Sequence, residues 1–358
     1  MLTVLNVGII GLGMAFEQLH YPAFQELQDR YRIAAICDHN QDKCRQWMET
    51  LGLTENDVYT DYKEMLNRED VDLYDIMVPI SLNYTVTADV ARQLSGSGKG
   101  IICEKPVAGN MEDAKAHRDL PTRYDVPVLI AENYRYNDET NLIREMVQNG
   151  EIGDIYYFMY NRFIDFPTEQ NQGDKFPSKE WRQKPDYKGG VILDSAVHDL
   201  AALRHIFGAI ERLHAFGRPL EESYSPYASV NTNILFKSGV TGQFSFYCAG
   251  RETQAPHIGM RIIGTKGMIY LEDRDCGTIN IAYNDGTRNE IPYAPQRGYY
   301  NELLNYYNSR VYNEELMVTP EMAYGDAQTV FAILRSISEE TIVPVDRERK
   351  GLFERLKV

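Results

Sequence analysis

Three side chains of the sequence are of types that transfer protons. Lys105 lies in IICEKPVAG (101–109), where an apolar run ends on a charged pair and a proline, which fixes the backbone and removes a donor. Asp194 and His198 lie in GGVILDSAVHD (189–199), and their spacing of four residues places them on one face of a helix. An imidazole suits general base catalysis near neutral pH. Each residue also has a structural interpretation, as a solvated lysine, a helix cap or a half-buried histidine.

A second set of residues could hold a dinucleotide. Gly11 and Gly13 stand at the first predicted strand-to-helix turn, where glycines permit close approach of a pyrophosphate and the helix N-terminus favours its charge. Asp38 ends the next predicted strand, 25 residues after Gly13, near the usual spacing of about 20. A carboxylate there accepts from ribose hydroxyls and repels a 2′-phosphate, so NAD is expected and NADP is disfavoured. The sequence departs from the GxGxxG/A motif at its third position, which is Phe16, although the neighbouring Ala15 could supply the small packing residue. The alternative to nucleotide binding is an α/β domain in which Gly-x-Gly occurs by chance.

The surrounding sequence predicts the elements that must position these residues. Up to about residue 125 apolar strand patterns alternate with helical ones, which indicates a parallel sheet covered by helices. The predicted strands are VLNVGII (4–10), RIAAICD (32–38), DLYDIMVP (72–79), GIICEKP (100–106) and VPVLIAENYRY (126–136). After Tyr136, hairpin turns at short intervals indicate an antiparallel sheet. We therefore predict a Rossmann NAD-binding domain over 1–127 and an α+β domain with a mainly antiparallel open sheet, for substrate binding and oligomerisation, over 128–358.

Composition narrows the classes of function. The net charge of −15 argues against a nucleic acid partner, which requires a basic surface. No run approaches the ~20 apolar residues of a membrane span, and the N-terminus lacks the basic region of a signal peptide. The five cysteines are scattered without CxxC spacing, which favours reduced thiols in the cytoplasm. No cluster of histidine, cysteine and carboxylate residues has ligand spacing, so no metal site is predicted.

Together these motifs resemble the Gfo/Idh/MocA family of dinucleotide-dependent oxidoreductases. CEKP at a strand end and the later GGVILDSAVHD carry most of the resemblance. The supporting matches, in order along nearly the whole chain, are ENYRY (132–136), GEIGDI (150–155), WR (181–182) and GTKG (264–267). The chain departs from the family pattern at Ile80 and Asn83, in a segment that often reads Thr-Pro-Asn followed by His, and at Ala201, where a second aspartate is common.

The family pattern implies a role for each matched residue. Lys105 would lie beside the nicotinamide and hydrogen-bond the reacting hydroxyl, and Pro106 would fix the loop through a cis bond. Asp194 would orient the substrate, and Glu104 would position Lys105 or the cofactor. His198 is the expected general base, although the choice between His198 and Lys105 stays open.

The resemblance and the motifs together predict two sets of contacts. The expected cofactor contacts are Gly11, Gly13, Met14, Ala15, Asp38, Pro79, Asn83, Glu104, Lys105, Trp181 and Arg182. The expected substrate contacts are Lys105, Asn133, Tyr134, Arg135, Tyr160, Arg162, Asp194 and His198.

The predicted function is NAD-dependent hydride transfer between a hydroxyl of a sugar, sugar derivative or cyclitol and the nicotinamide. Two alternatives remain: an NAD-dependent glycoside hydrolase of the same fold, and a non-catalytic, nucleotide-responsive regulator. The tyrosine-rich open sheet also predicts a homodimer or homotetramer formed through the C-terminal domain.

Overall fold

Two sheets divide the chain into two units. The computed structural model describes residues 3–164, 185–218, 227, 229–247 and 259–345. Unit 1 consists of Met1–Asn133 and Tyr299–Tyr324, and unit 2 consists of Tyr134–Gly298 and Gly325–Val358. Each unit is built around its own sheet, and the predicted fold class is confirmed.

Unit 1 contains a six-stranded parallel sheet in the order β3-β2-β1-β4-β5-β6. Its strands are β1 (Leu5–Ile10), β2 (Tyr31–Cys37), β3 (Val58–Tyr59), β4 (Leu73–Ile76), β5 (Gly100–Glu104) and β6 (Val128–Ala131). Every residue of β4, β5 and β6 is buried, as expected for parallel strands covered on both faces.

Three helices of unit 1 begin at a residue whose side chain caps the helix, Asn40, Asp61 and Asn110. The helices of unit 1 are α1 (Tyr21–Glu26), α2 (Gln41–Leu51), α3 (Tyr62–Met65), α4 (Ile80–Gln93), α5 (Met111–Arg118), α6 (Leu120–Tyr124) and α9 (Gly298–Tyr312). A π-helical turn, Phe16–His20, precedes α1. Asn40 caps α2 by accepting from the backbone N–H groups of Asp42 and Lys43, and Gly52 ends this helix at a φ of 65°.

The division between the units differs from the predicted boundary at residues 127 and 128. β6 pairs in parallel with β5, so it belongs to the sheet of unit 1. Residues 299–324 also return to unit 1, where the Tyr31 hydroxyl donates to the carbonyl of Leu303 at 2.6 Å. This contact joins residues 272 positions apart, so no local sequence pattern could have predicted the return.

Unit 2 contains a nine-stranded sheet in the order β14-β13-β12-β11-β7-β10-β9-β8-β15. The strands are β7 (Ile155–Phe163), β8 (Ile210–Arg218), β9 (Ser229–Phe236), β10 (Thr241–Tyr247), β11 (Met260–Gly264), β12 (Gly267–Leu271), β13 (Thr278–Tyr283), β14 (Arg288–Pro292) and β15 (Val343–Pro344). Its other elements are α7 (Asp138–Gln148), a π-helical turn (Ile192–Ala196), α8 (Val197–Phe207) and α10 (Pro320–Glu339), within which the division between the units falls. All strand pairs are antiparallel except β7 with β10.

One face of this sheet is buried and the other is exposed. Burial alternates along β9 and β10, and inward-facing Phe158, Phe207 and Phe236 pack with ring centroids 5.0–5.8 Å apart. The outer face carries Phe216 and Tyr247, which are 65% and 40% exposed. Among the described residues, no helix has the length and apolar character that a membrane crossing requires.

Candidate active site

The turn after β1 requires glycine at one position and leaves space at another. Gly11 has a φ of 99°, and a Cβ atom there would overlap the carbonyl oxygen of Met77. A Cβ atom at Gly13 would meet no atom within 4 Å. The backbone is therefore tightly packed at Gly11 and open at Gly13, which suits the approach of a pyrophosphate.

Asp38 lies directly after β2 and is held by the same turn. Its Oδ2 accepts from the Leu12 N–H at 2.8 Å, and its Oδ1 accepts from the Asn40 N–H at 2.8 Å. Carboxylate oxygens can accept further bonds, so these contacts leave capacity for ribose hydroxyls. The glycine turn and the anchored carboxylate fit the dinucleotide that the sequence predicts.

Phe16 replaces the third small residue of the motif because it packs into the core. Its ring is buried and meets Trp47 edge-on, with centroids 4.7 Å apart. Phe16 also starts the π-helical turn, which ends at His20 in the interior. Widened turns of this kind are frequent at functional sites.

His20 lies at the centre of a buried charged cluster that sequence reasoning missed. Its Nδ1 is 2.8 Å from Asp75 Oδ2 on β4, and its Nε2 is 3.0 Å from Glu104 Oε1 at the end of β5. Burial opposes charge on the imidazole, but the attraction of Asp75 and Glu104 holds the pKa of His20 well above its usual value. The available signal was a carboxylate inside each of two apolar, fully buried strands.

Glu302, on α9, adds a buried carboxyl group to this cluster. Burial raises the pKa of Glu302 well above its usual value, and Glu104 and Asp75 add to the effect. Tyr299 on the same helix places its ring 5.8 Å from the His20 ring. The segment that returns to unit 1 therefore completes the surroundings of His20.

Lys105 follows Glu104 on a loop that is fixed on both sides. The Lys105–Pro106 peptide bond is cis, as the family pattern implied. Asn83, fully buried on α4, donates from Nδ2 to the carbonyl oxygens of Glu104 at 3.0 Å and Pro106 at 2.7 Å. Asn83 therefore supports the backbone around Lys105, and its contact with the cofactor stays a prediction. His20 fastens the Glu104 side chain on the same loop.

The other predicted cofactor residues have varied surroundings. Met14 and Ala15 are half-buried in the helical segment that follows Gly13, and Pro79 is exposed immediately before α4. Trp181 and Arg182 lie outside the described residues. Contact of these residues with a cofactor stays a prediction.

Unit 2 places three side chains in a stack. The rings of Tyr134 and His198 are nearly parallel, with centroids 4.4 Å apart, and the Arg274 guanidinium carbon is 3.7 Å from the Tyr134 centroid. The arginine and the imidazole occupy opposite faces of the tyrosine, because on one face they would overlap. Asp194 is buried in the π-helical turn that leads into α8 and His198.

Tyr160 and Arg162 both point to one carboxylate. The Tyr160 hydroxyl donates to Asp199 Oδ1 at 2.6 Å, and Arg162 Nε lies 3.9 Å from the same oxygen. Burial raises the pKa of Tyr160 well above its usual value, and Asp199 reinforces this, so the phenol stays protonated. Asp199 follows His198 directly on α8, so this helix supplies both the imidazole of the stack and the carboxylate that Tyr160 and Arg162 approach.

Arg135, a predicted substrate contact, pairs with a buried carboxylate, and its contact with a substrate stays a prediction. Its guanidinium is buried and donates to Asp326 through Nη2 at 2.6 Å and Nε at 3.3 Å. Arg204 donates to the same carboxylate at 2.9 Å, which makes a buried charged bridge. Asn133 is also buried, in a single turn between β6 and α7.

The structure thus groups the predicted residues within the two units. Unit 1 brings the glycine turn, Asp38 and the Lys105 loop to one edge of its parallel sheet, where the strands end. Unit 2 brings His198, Tyr134 and Arg162 together with Arg274, which sequence reasoning also missed. Arg274 follows β12 in a charged stretch, LEDRD, that reads as an ordinary exposed turn.

A glycine turn and a ribose-side carboxylate on a parallel sheet are shared by dinucleotide-dependent oxidoreductases. Residues 5–132 match the family model described as an oxidoreductase family with an NAD-binding Rossmann fold, and residues 140–270 match the GFO/IDH/MocA C-terminal domain. The chain belongs to the Gfo/Idh/MocA family, as its motifs predicted. It is an NAD(P)-dependent dehydrogenase acting on a CH–OH group.

Individual relatives share the architecture at modest identity. An uncharacterised protein of Saccharomyces cerevisiae is 29% identical over 272 residues, covering 76% of this chain and 75% of its own length. Myo-inositol 2-dehydrogenase of Thermotoga maritima is 26% identical over 293 residues, covering 79% and 80%. The structure of levoglucosan dehydrogenase with NADH and levoglucosan superimposes with a TM-score of 0.82 at 21% identity, over 96% of this chain and 100% of that one.

Proposed function

We propose that this chain is an NAD-dependent dehydrogenase that oxidises a ring hydroxyl of a sugar, a sugar derivative or a cyclitol. The observation that carries the proposal is the position of Lys105 on a fixed loop at the end of β5. Parallel sheets of this kind bind ligands at the edge where the strands end, and Gly13 and Asp38 lie at that edge. The named substrates of two relatives, myo-inositol and levoglucosan, are cyclic polyols, which supports the substrate class.

Asp38 supports NAD rather than NADP. Both of its oxygens are anchored by backbone N–H groups, so the carboxylate stays in place at the end of β2. A fixed negative charge there accepts from ribose hydroxyls and opposes a 2′-phosphate. NAD, when bound, supplies the acceptor for the hydride.

The proton is handled by residues of the chain. In this proposal Lys105 donates a hydrogen bond to the reacting hydroxyl, and His198 accepts the proton that the hydroxyl loses. Asp194, in the preceding helical turn, orients the substrate. The stack on Tyr134 fixes the plane of the His198 ring, which general base catalysis requires.

Turnover by purified protein tests this function. Reduced-nicotinamide absorbance is followed with NAD or NADP and a panel of cyclic polyols. Lys105→Met and His198→Gln should each lower kcat by roughly 10²- to 10⁴-fold. Lys115→Met, at an exposed position of α5, and His205→Gln, on the helix that carries His198, are the matched controls. Full activity in both site variants would refute the assignment, and binding of NAD without turnover of any polyol would favour a regulator.

We also propose that the chain assembles as a homodimer or homotetramer in the cytoplasm. The exposed aromatic rings of Phe216 and Tyr247 on the outer face of the nine-stranded sheet support this interface. Light scattering at micromolar concentration should give a dimer or tetramer. Phe216→Asp should shift the mass toward a monomer, and a monomeric wild-type chain would contradict the proposal.

A further inference from the structure

Unit 2 contains a pocket lined by two arginines near the His198 stack. Tyr160 and Arg162 of β7 form one side, and Glu272, Asp273 and Arg274, which follow β12, form another. Two guanidinium groups in one pocket suit a ligand with negative charge, because the planar fork of arginine matches a carboxylate or a phosphate.

Arg274 is the arginine of this pocket with a buried N–H group that lacks a hydrogen-bond partner among the described residues. Its guanidinium lies over the Tyr134 ring, and its Nε is buried with no hydrogen-bond partner in the part of the chain that the structure describes. An arginine cannot lose its proton at neutral pH, so a buried N–H without a partner is costly. A ligand oxygen would remove that cost.

The two guanidinium groups of the pocket differ in how their charge is paired. Arg162 shares Asp199 with the Tyr160 hydroxyl. Glu272 and Asp273 also line the pocket, and the charge of Asp273 acts on Arg162, but within the described ranges neither carboxylate lies at ion-pair distance from Arg162 or Arg274. Arg274 is therefore the group of this pocket that is placed to pair with a ligand carboxylate.

A carboxylate fits this site better than a phosphate. The planar fork of arginine pairs with the two oxygens of a carboxylate through parallel hydrogen bonds. A carboxylate brings one negative charge next to Glu272 and Asp273, whereas a phosphate dianion brings nearly two and is repelled more strongly.

We propose that Arg274 and Arg162 bind the carboxylate of the substrate, and that the substrate is a sugar acid of the uronate class. This inference rests on the dehydrogenase function proposed above. Only the Tyr134 ring separates Arg274 from His198. The carboxylate would thus lie on the same molecule as the oxidised hydroxyl, a short distance from it.

Matched substrate pairs test the inference. D-glucose is compared with D-glucuronate, and D-galactose with D-galacturonate, by kcat/KM with NAD, while D-glucose 6-phosphate supplies the phosphate comparison. The carboxylated member should be preferred, and Arg274→Met should reduce that preference by roughly 10- to 100-fold. Arg274→Lys keeps the positive charge but cannot form two parallel hydrogen bonds, so it should reduce the preference for the carboxylated sugar by an intermediate factor. This variant replaces Arg274→Met if the methionine variant does not fold.

Arg261 offers a matched control in the same sheet. It lies over the Tyr270 ring at 5.0 Å, and its Nε is also buried without a partner in the described chain. Arg261→Met should leave the preference unchanged. If it reduced the preference as much as Arg274→Met does, the site would be misplaced.

The remaining outcomes separate this inference from the function on which it rests. Turnover of neutral sugars at equal or higher kcat/KM, unchanged in ratio by Arg274→Met, would overturn the inference and leave the dehydrogenase intact. Preference for D-glucose 6-phosphate over D-glucuronate would contradict the assignment of a carboxylate to this site. If no sugar is turned over, calorimetry on the NADH-loaded protein compares the binding of D-glucuronate with that of D-glucose. Selective binding of D-glucuronate that is lost in Arg274→Met would support the site. Equal binding of the two sugars, or no binding of either, would overturn it.

Discussion

His20→Gln measures how strongly the buried cluster of unit 1 depends on the charge of His20. In the wild-type chain His20 lies 2.8 Å from Asp75 and 3.0 Å from Glu104, and all three side chains are buried. Glutamine can keep a hydrogen bond but not the positive charge. Removing one partner of a buried ion pair costs about 3–5 kcal/mol, so the free energy of unfolding of unit 1 should fall by that amount.

The loss should depend on pH. Burial lowers the pKa of His20, but Asp75 and Glu104 raise it further, so its folded value lies well above the ordinary 6.5. A group whose pKa rises on folding stabilises fully below its unfolded pKa, and this contribution disappears as the pH rises through the folded value. The gap between wild type and His20→Gln should therefore narrow from about pH 6.5 upward.

Denaturant titration followed by tryptophan fluorescence measures this gap. The chain has two tryptophans, and in a Trp181→Phe background Trp47 alone reports, from a position in edge contact with Phe16. His117→Gln is the matched control, because burial lowers the pKa of His117 to about 4 and leaves it neutral over this pH range. A loss below about 1 kcal/mol, or a gap as constant as that of the control, would refute the reasoning.

Five further substitutions test separate parts of the account. Gly11→Ala should lower the free energy of unfolding by more than about 1 kcal/mol. Gly13→Ala should leave the free energy of unfolding unchanged and weaken NAD binding measured by calorimetry. Equal effects of the two substitutions on stability would contradict this distinction. Asp326→Asn should lower the free energy of unfolding of unit 2 by about 3–5 kcal/mol in denaturant titration. Arg135→Met should leave the KM of the folded protein unchanged, and a raised KM would indicate that Arg135 contacts the substrate. Asp38→Ser should raise the Kd of NAD by roughly tenfold and narrow the preference over NADP, and an unchanged preference would remove Asp38 from the ribose contact.

The fold was predictable because its signals are local. Apolar strands that alternate with helices indicate a parallel sheet, and closely spaced hairpin turns indicate an antiparallel one. The parallel pairing of β7 with β10 was not predictable, because it joins segments that no turn connects. The return of residues 299–324 to unit 1 escaped prediction for the same reason.

The site was predictable in part. Gly11 and Asp38 act through the geometry of a single turn, which the sequence specifies locally. His20 meets Asp75 and Glu104 across 55 and 84 residues, and Arg135 meets Asp326 across 191. Whether a charged residue faces a ligand or a buried counter-charge depends on such distant partners, so the sequence could not show the Arg135–Asp326 pair and gave no role to His20.

The central claim is direct hydride transfer from a substrate carbon to NAD, and isotope tracing measures it most directly. A substrate from the panel, deuterated at the carbon that is oxidised, is incubated with the protein and NAD, and the NADH formed is examined by NMR. The account predicts one deuterium at C4 of the nicotinamide. In Lys105→Met and His198→Gln, much less deuterated NADH should form in the same time. NADH without deuterium, or label transfer undiminished in both variants, would contradict it.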